Sequence, residues 1–86
     1  MGEIVRVITL YTKDNCPACM MTKKLLKQYG LNYMEINALQ VGGVVMDKLR
    51  AKGYRSFPVV EVKNDNGEWD EWSGFRPDKL KGLAGK

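Results

Sequence analysis

The feature that most constrains the fold is an abrupt change of residue pattern before Cys16. Residues Ile4 to Tyr11 form a nearly continuous run of apolar, β-forming side chains, which is typical of a buried strand. After a polar loop, the apolar residues recur with helical spacing from Cys16 onward. Pro17 suits the first turn of that helix, and Gly30 suits its end. A strand that leads through a short loop into a helix predicts an α/β domain.

The rest of the chain repeats this alternation and then closes with a hairpin. We predict a second strand within Leu31 to Asn37, a second helix from about Val44 to Lys52, strands at Val59 to Val62 and Glu68 to Trp72, and a last helix from Pro77 to about Leu83. A right-handed crossover makes the first two strands parallel, and the turn signal at residues 64–67 makes the last two antiparallel. The predicted order is β-α-β-α-β-β-α, in a single domain of residues 1–86 with a four-stranded mixed sheet and helices on both faces.

Length and composition argue against several classes of function. The chain has 86 residues, enough for one domain, and its apolar runs fall far short of the ~20 residues that span a bilayer. The first residues lack a basic head followed by an apolar stretch, so we expect no signal peptide, no membrane partner and a cytoplasmic protein. The chain has no histidine, which excludes Cys–His proteases and Cys2His2 zinc sites.

The charge balance is only modestly basic. Fourteen Lys and Arg residues against ten Asp and Glu residues give a net charge of +4. No nucleic-acid-binding motif accompanies this charge, so we expect no nucleic-acid partner. A solvated basic face, or weak steering toward an acidic protein partner, explains the charge equally well.

Cys16 and Cys19 lie where the first strand gives way to the first helix, and this position has chemical consequences. The amides in the first turn of a helix are unpaired and carry partial positive charge, so they lower the pKa of the Cys16 thiol below its free value of ~8.5. A thiolate is the attacking species in thiol–disulfide exchange, and Cys19, one helical turn on, can resolve the mixed disulfide. Pro17 makes the turn rigid, and Lys13 adds positive charge three residues before Cys16. These residues predict a redox-active cysteine pair.

Two other interpretations of the cysteine pair stay open at this point. The cysteines could be buried and inert, although a pair three residues apart closes too small a loop to be an effective structural crosslink. They could also be half of a metal site. Because the chain has no other Cys and no His, zinc or an iron–sulfur cluster would need cysteines from a second copy. The strand-to-helix context favours redox chemistry, and we assign no metal ligand.

Pro58 stands directly before a strong strand and allows two interpretations. A proline at the start of a strand is ordinary. Alternatively, the Phe57–Pro58 peptide bond is cis, and the backbone N–H and C=O of Phe57 can then pair with an extended partner segment. The cysteine pair earlier in the chain favours the cis bond.

The segment from Trp72 to Asp78 is less easily explained by packing alone. Trp72 is a normal core residue of a strand, but Gly74 permits a tight turn and Phe75 brings an apolar side chain into a loop. Arg76 stands before a helix start, where a cation does not stabilise the helix dipole. We therefore predict a specific hydrogen-bonding role for Arg76.

Several of these segments resemble a known family. The residues Tyr11-Thr12-Lys13-x-x-Cys16-Pro17-x-Cys19 and Pro58-Val59-Val60 resemble those of glutaredoxins. The run Trp72-Ser73-Gly74-Phe75-Arg76-Pro77-Asp78 resembles the signature of NrdH redoxins, which are glutaredoxin-like proteins with thioredoxin-like behaviour. The stretch from Gly53 to Val60 is similar to their junction between the second helix and the following strand. The spacer residues Pro17-Ala18 depart from the Val-Gln or Met-Gln spacers of NrdH redoxins and are closer to those of glutaredoxins.

This resemblance implies a thioredoxin/glutaredoxin-like fold and a thiol–disulfide oxidoreductase, with Cys16 as nucleophile and Cys19 as resolving thiol. It implies reduction by thioredoxin reductase, with electrons from NADPH through that flavoprotein and no bound cofactor. It further implies electron delivery to the large subunit of class Ib ribonucleotide reductase, and we expect a monomer. The partner-binding residues that we assign are Lys13, Pro17, Phe57, Pro58, Trp72, Ser73, Gly74, Phe75 and Arg76.

Two alternative functions remain. A glutathione-dependent glutaredoxin has the same fold and a different reductant. In such glutaredoxins a Gly-Gly followed by acidic residues holds the tripeptide, and that pattern is absent after Trp72. The other alternative is a non-catalytic iron–sulfur or zinc carrier that uses Cys16 across a dimer.

Overall fold

The computed structural model describes residues 6–64 and 66–84, and its elements follow the predicted order β-α-β-α-β-β-α. The elements are β1 (Arg6–Thr12), α1 (Pro17–Gln28), β2 (Met34–Asn37), α2 (Gly43–Ala51), β3 (Val59–Asn64), β4 (Trp69–Ser73) and α3 (Pro77–Ala84). Two parts of the prediction lie outside the described residues: the start of the first strand at Ile4, and Asp65 of the hairpin turn. The predicted order of strands and helices is confirmed.

The four strands form one mixed sheet in the order β2-β1-β3-β4. β1 is parallel to β2 and antiparallel to β3, and β3 is antiparallel to β4. Leu10, Val60 and Trp72 lie side by side across the three antiparallel strands. Because β1 and β3 are the central strands, both of their faces are covered, which explains their nearly continuous apolar sequences.

Helices cover both faces of the sheet, as predicted. On one face α1 and α3 pack over a core whose buried members are Ile8, Leu10, Leu26, Val60, Val62, Trp72 and Leu80. On the other face α2 packs over a smaller core of Ala38, Leu49 and Val59. The period-two alternation of β3 assigns Val60 and Val62 to the first core and Val59 to the second.

Element boundaries differ from the predicted ones by one or two residues, for local reasons. Thr12, predicted as loop, ends β1 because its carbonyl accepts the N–H of Ala38 at 2.8 Å and its hydroxyl donates to Glu35 at 3.0 Å. α2 begins at Gly43 despite the preceding glycine, because Gly42 has a φ of +93° and serves as the cap. Ser73, also predicted as loop, still pairs with β3.

The helices are short compared with the thickness of a bilayer. The longest, α1, has 12 residues, whereas about 20 apolar residues are needed to span a membrane. Within residues 6–64 and 66–84, no helix has the length and apolar character that a membrane crossing needs.

Candidate active site

Cys16 and Cys19 form a disulfide at the N-terminus of α1. Cys16 has extended backbone angles (φ −121°, ψ 96°) and is the N-cap residue of the helix, and the Cα atoms of the pair are 5.2 Å apart. The backbone N–H of Cys19 donates a hydrogen bond to Sγ of Cys16 at 3.2 Å. A first-turn amide of α1 is therefore already directed at the sulfur of Cys16, where it stabilises negative charge on that atom.

The two cysteines differ in accessibility. Cys16 retains 7% of its surface exposed and Cys19 only 2%, so a partner reaches Cys16 more readily. Pro17 is exposed at the first position of the helix, as predicted. This asymmetry fits the predicted roles of Cys16 as the attacking sulfur and Cys19 as the resolving one.

The loops around the disulfide leave the sheet at one edge. Tyr11 of β1, Val59 of β3 and Ser73 of β4 are register partners in one row across the sheet. The segments that adjoin this row are the loop at residues 13–16, the Phe57–Pro58 step and the turn at residues 74–76. The register therefore collects the predicted site residues at the edge from which α1 begins.

Lys13 and Phe57 contact each other at this edge. The Nζ atom of Lys13 lies 5.6 Å from the centroid of the Phe57 ring, within the range of a cation–π interaction. Lys13 itself is exposed, and no carboxylate among the described residues forms an ion pair with it. Its charge is available to a bound partner.

The Phe57–Pro58 peptide bond is cis, which confirms that prediction. Pro58 is buried, and its carbonyl accepts the N–H of Gly74 at 2.8 Å. No described residue forms a hydrogen bond with the backbone N–H or C=O of Phe57. Those two groups are free to pair with the backbone of an extended segment.

The segment from Trp72 to Arg76 combines core and surface residues. Trp72 is 6% exposed and belongs to the main core, against which Phe75 also packs. The Lys79 Nζ atom lies 5.5 Å from the Trp72 ring centroid, and Trp72 Nε1 is buried without a partner among the described residues. Gly74 has a φ of +85°, as the predicted tight turn requires.

Arg76 does form specific hydrogen bonds, but they run to the following helix rather than to the loop near the disulfide. Its Nε and NH2 atoms donate to the two carboxylate oxygens of Asp78 at 3.2 and 3.0 Å. This pairing raises the pKa of Arg76 and lowers the pKa of Asp78. The predicted specific hydrogen-bonding role of Arg76 is therefore observed, and its partner is Asp78 of α3. Asp78 lies two residues after Arg76, in the first turn of α3, and its carboxylate accepts both hydrogen bonds from the guanidinium.

A groove beside Phe57 contains cations that the sequence analysis did not single out. It has a volume of about 520 Å³ and is lined by Lys13, Met46, Leu49, Arg50, Tyr54, Arg55 and Phe57. Neither Arg50 nor Arg55 forms an ion pair with a described carboxylate. Three positive charges with no acidic neighbour in the lining suit an anionic group on a substrate. In the sequence, only the closeness of Arg55 to Phe57 pointed to this cationic groove.

A polar cluster beneath α2 was also missed. The carboxylate of Glu71 accepts hydrogen bonds from Lys52 at 3.0 Å and from the Tyr54 hydroxyl at 3.2 Å, and its side chain is only 9% exposed. The bond to Glu71 raises the pKa of Lys52. Burial, followed by the charge of Glu71, raises the pKa of Tyr54. Burial and the charge of Glu61 raise the pKa of nearby Tyr11.

Metal binding was the remaining alternative for the cysteines. In the part of the chain that the structure describes, no three His, Cys, Asp or Glu side chains come together in a group that could hold a metal ion. The reduced Cys16 and Cys19 would supply only two of the four ligands that a tetrahedral site needs.

Comparison with known proteins agrees with the geometry of the site. The family model described as Glutaredoxin matches residues 8–66. The glutaredoxin-like protein NrdH of Salmonella typhimurium is 38% identical over 76 residues, which cover 88% of this chain and 86% of that protein. The glutaredoxin-like protein NrdH of Lactococcus lactis subsp. cremoris is 37% identical over 78 residues, covering 91% of this chain and all of that protein.

A solved structure extends this likeness to three dimensions. The NrdH-redoxin of Escherichia coli superposes with a TM-score of 0.77 at 38% identity, covering 90% of this chain and 93% of that one. The stretch of this chain that matches the Glutaredoxin family model includes the cysteine pair at the start of α1. The chain therefore belongs to the glutaredoxin family as an NrdH-type redoxin, and it is a thiol–disulfide oxidoreductase.

Proposed function

We propose that this redoxin carries electrons from thioredoxin reductase to the large subunit of a class Ib ribonucleotide reductase. The observation that carries the proposal is the hydrogen bond from the Cys19 N–H to Cys16 Sγ at the helix N-terminus, beside a Phe57 backbone that is free to bind an extended segment. The first feature provides the chemistry of exchange, and the second provides a way to hold a disulfide-bearing tail. A reducing compartment such as the cytoplasm suits a cysteine pair that cycles between two states.

The forward step begins from the reduced protein. The Cys16 thiolate attacks one sulfur of the substrate disulfide, so that a mixed disulfide forms and the other substrate sulfur leaves as a thiolate and takes up a proton. The Cys19 thiol then loses its proton and attacks Sγ of Cys16, which releases the second substrate thiol. Two electrons and two protons have passed to the substrate, and the Cys16–Cys19 disulfide is the oxidised product.

The return step restores the dithiol. A thiolate of the reductase attacks Cys16 Sγ, Cys19 leaves as a thiolate that takes up a proton, and a second reductase thiol releases Cys16. The reductase disulfide that forms is reduced again by NADPH through the flavin. Cys16 is the sulfur attacked because it is the more exposed of the two.

The substrate is expected to bind as an added strand. The unpaired N–H and C=O of Phe57 supply backbone hydrogen bonds, and the adjoining groove with Lys13, Arg50 and Arg55 receives an anionic group. Both lie at the edge of the sheet from which α1 begins. This arrangement positions an extended, acidic tail so that its disulfide can approach Cys16.

The relatives support the identity of the partners. Proteins named NrdH share 37–38% identity with this chain over most of its length, and the NrdH name implies ribonucleotide reduction. The E. coli NrdH-redoxin is described as having a thioredoxin-like activity profile. A thioredoxin-like profile fits reduction by thioredoxin reductase.

A second candidate is a glutathione-dependent glutaredoxin. The observation that favours it is the cationic groove, since glutathione carries two carboxylates that Lys13 and Arg55 can reach. Against it, the first acidic residue after the turn at residues 74–76 is Asp78, and that carboxylate is paired with Arg76. It is therefore not available for the amino group of glutathione.

The deciding experiment measures NADPH consumption with insulin as the disulfide substrate. One arm contains thioredoxin reductase, and the other contains glutathione with glutathione reductase. We expect turnover in the thioredoxin reductase arm, and a rate near background in the glutathione arm. Turnover confined to the glutathione arm would overturn the proposal and favour the second candidate.

The electron acceptor is tested separately. Class Ib ribonucleotide reductase is assayed for deoxyribonucleotide formation with NADPH, thioredoxin reductase and this redoxin as the only protein reductants. We expect product formation that saturates with redoxin concentration and is lost in Cys16→Ser. Insulin reduction without deoxyribonucleotide formation would support the oxidoreductase activity but would reject ribonucleotide reductase as the electron acceptor.

A further inference from the structure

The outer face of α1 exposes two methionines among lysines. Met20 and Met21 are 66% and 51% exposed and are consecutive in the sequence, so they form a small apolar patch. They line a shallow depression of about 470 Å³ together with Lys23, Lys24 and Lys27. Methionine is flexible and polarizable and adapts readily to a partner surface. We call these five residues the Met–Lys face.

The Met–Lys face begins at the redox disulfide. The N–H of Met20 donates to the carbonyl of Cys16 at 3.1 Å, which puts Met20 one turn beyond the reactive sulfur. Lys24 and Lys27 follow at spacings of four and seven residues from Met20, so all three lie on one stripe of the helix. A protein that contacts Cys16 from the side of α1 therefore meets Met20 first and the lysines next.

The charge of this face is uniformly positive. α1 contains no acidic residue, from Pro17 to Gln28. Lys23 is paired with Glu35 at 3.2 Å, but Lys24 and Lys27 form no ion pair with any carboxylate that the structure describes. An apolar patch followed by unpaired cations is complementary to an acidic surface with apolar side chains.

We propose that the Met–Lys face is the docking surface for an acidic patch on the flavoprotein reductase, an inference that rests on the proposed function. A stable protein–protein contact covers roughly 800 Å² on each partner, which corresponds to a radius of about 16 Å around Cys16. Lys24 lies about 12 Å along the helix from Cys16, inside this radius, and Lys27 lies about 16.5 Å away, at its boundary, at a rise of about 1.5 Å per residue. A folded reductase centred on the disulfide thus reaches the whole face.

A disulfide-bearing peptide tail is expected to contact the Met–Lys face less than a folded reductase does. Phe57 packs with the α2 core, on the opposite side of the sheet from α1. A tail held by the Phe57 backbone and the adjoining groove follows the α2 side and leaves the Met–Lys face uncovered. The two faces therefore separate the docking of the reductase from the binding of the substrate tail.

The test compares two double charge reversals with equal net charge. Lys24→Glu/Lys27→Glu changes the proposed face, whereas Lys48→Glu/Lys63→Glu changes exposed lysines of α2 and β3. Each reversal lowers the net charge by four, from +4 to zero. Insulin reduction is driven once by NADPH with bacterial thioredoxin reductase and once by dithiothreitol, and the ratio of the two rates separates docking from chemistry.

Met20→Gln/Met21→Gln, with Met34→Gln as its control, tests the apolar part in the same way.

We expect Lys24→Glu/Lys27→Glu to raise the KM of the reductase for the redoxin and to lower the rate ratio roughly tenfold at low ionic strength, with a smaller effect at high ionic strength. The Lys48→Glu/Lys63→Glu ratio should stay within about twofold of wild type. If the two charge variants had equal rate ratios, the proposed docking face would be wrong. Turnover of the wild-type protein with thioredoxin reductase would still support the proposed function. A wild-type protein that the reductase does not reduce at all would reject both.

Discussion

The backbone N–H of Gly74 donates a hydrogen bond to the carbonyl of Pro58 at 2.8 Å, and this bond ties the turn after β4 to the segment beside the redox disulfide. Gly74 reaches this geometry with a φ of +85°, a conformation that side chains other than that of glycine rarely adopt. The proline carbonyl is thus satisfied inside the protein, while the backbone of Phe57 remains free for a partner. The backbone of Pro58 therefore has a structural role, whereas the backbone of Phe57 beside it is available for binding.

Replacing Gly74 should disturb this edge through backbone strain alone. No atom lies within 4 Å of the site where a Cβ would be added, so Gly74→Ala meets no steric clash. The positive φ should still destabilise the fold by about 1–2 kcal/mol. It should also raise the KM for insulin, because the Pro58 segment loses its support. Urea unfolding and the insulin assay measure the two effects.

A matched control is available in α3. Gly82 also has open space around a hypothetical Cβ, but it lies in a helix and its φ is not positive. Gly82→Ala should leave stability unchanged or raise it by up to about 1 kcal/mol, because alanine favours helix more than glycine does. Equal loss of stability in the two variants would mean that the conformation of Gly74 is not the cause.

The two cysteines should respond differently to substitution. Cys16→Ser removes the attacking sulfur and should abolish disulfide reduction. Cys19→Ser keeps the attacking sulfur but removes the resolving one, so a mixed disulfide between Cys16 and the substrate should accumulate. Non-reducing electrophoresis and mass spectrometry detect that adduct with a disulfide-bearing peptide. An adduct in Cys16→Ser rather than in Cys19→Ser would reverse the assigned roles.

Local patterns in the sequence predicted the parts of the fold that depend on neighbours along the chain. The helix start at Pro17, the cysteine spacing and the hairpin after β3 are all contained within a few residues. Period-two alternation placed Trp69 and Trp72 on opposite faces of their strand, and the structure shows that Trp72 is the one that faces the core. The cis bond at Pro58 was inferred only because the cysteine pair had already suggested the context.

Features that depend on contacts between distant elements were not predicted. The cationic groove exists because α2 brings Arg50 close to Phe57 and Lys13, and no local pattern expresses that approach. In the sequence, Glu71 has the pattern of an exposed residue on an edge strand. Only the structure shows that Lys52, from the end of α2, donates a hydrogen bond to it. Arg76 was predicted to form specific hydrogen bonds, but its partner depended on the direction in which α3 begins.

The polar cluster around Glu71 predicts a loss of stability in alkaline solution. The pKa values of Tyr11, Lys52 and Tyr54 are all raised above their ordinary values of 10.0 to 10.5. The folded protein therefore keeps these protons at a pH where the unfolded chain releases them. Their contribution to stability is complete below about pH 10 and is lost as the pH rises through the raised values. Urea unfolding at a series of pH values should show this decline.

The variant Glu71→Gln should flatten the alkaline decline. It removes the largest cause of the raised Lys52 pKa and weakens two of the causes of the raised Tyr54 pKa, so the folded and unfolded states release protons at more similar pH. At neutral pH the lost ion pair should reduce stability by up to about 1 kcal/mol, because Lys52 remains partly exposed. Glu68→Gln removes the same charge from an exposed residue of the hairpin and should keep the wild-type slope. An unchanged slope in Glu71→Gln would show that this carboxylate does not set the titration.

The groove beside Phe57 predicts a preference for acidic substrates. Two disulfide-bearing peptides of equal length, one with glutamates and one with lysines beside the cysteines, are compared in reduction by the wild-type redoxin. The acidic peptide should have a KM roughly tenfold lower at low ionic strength, because Lys13, Arg50 and Arg55 face the groove without acidic neighbours. In Arg50→Gln/Arg55→Gln most of this preference should disappear. Lys48→Gln/Lys63→Gln removes two charges outside the groove and should retain the preference, so equal losses in both variants would point to overall charge instead of the groove.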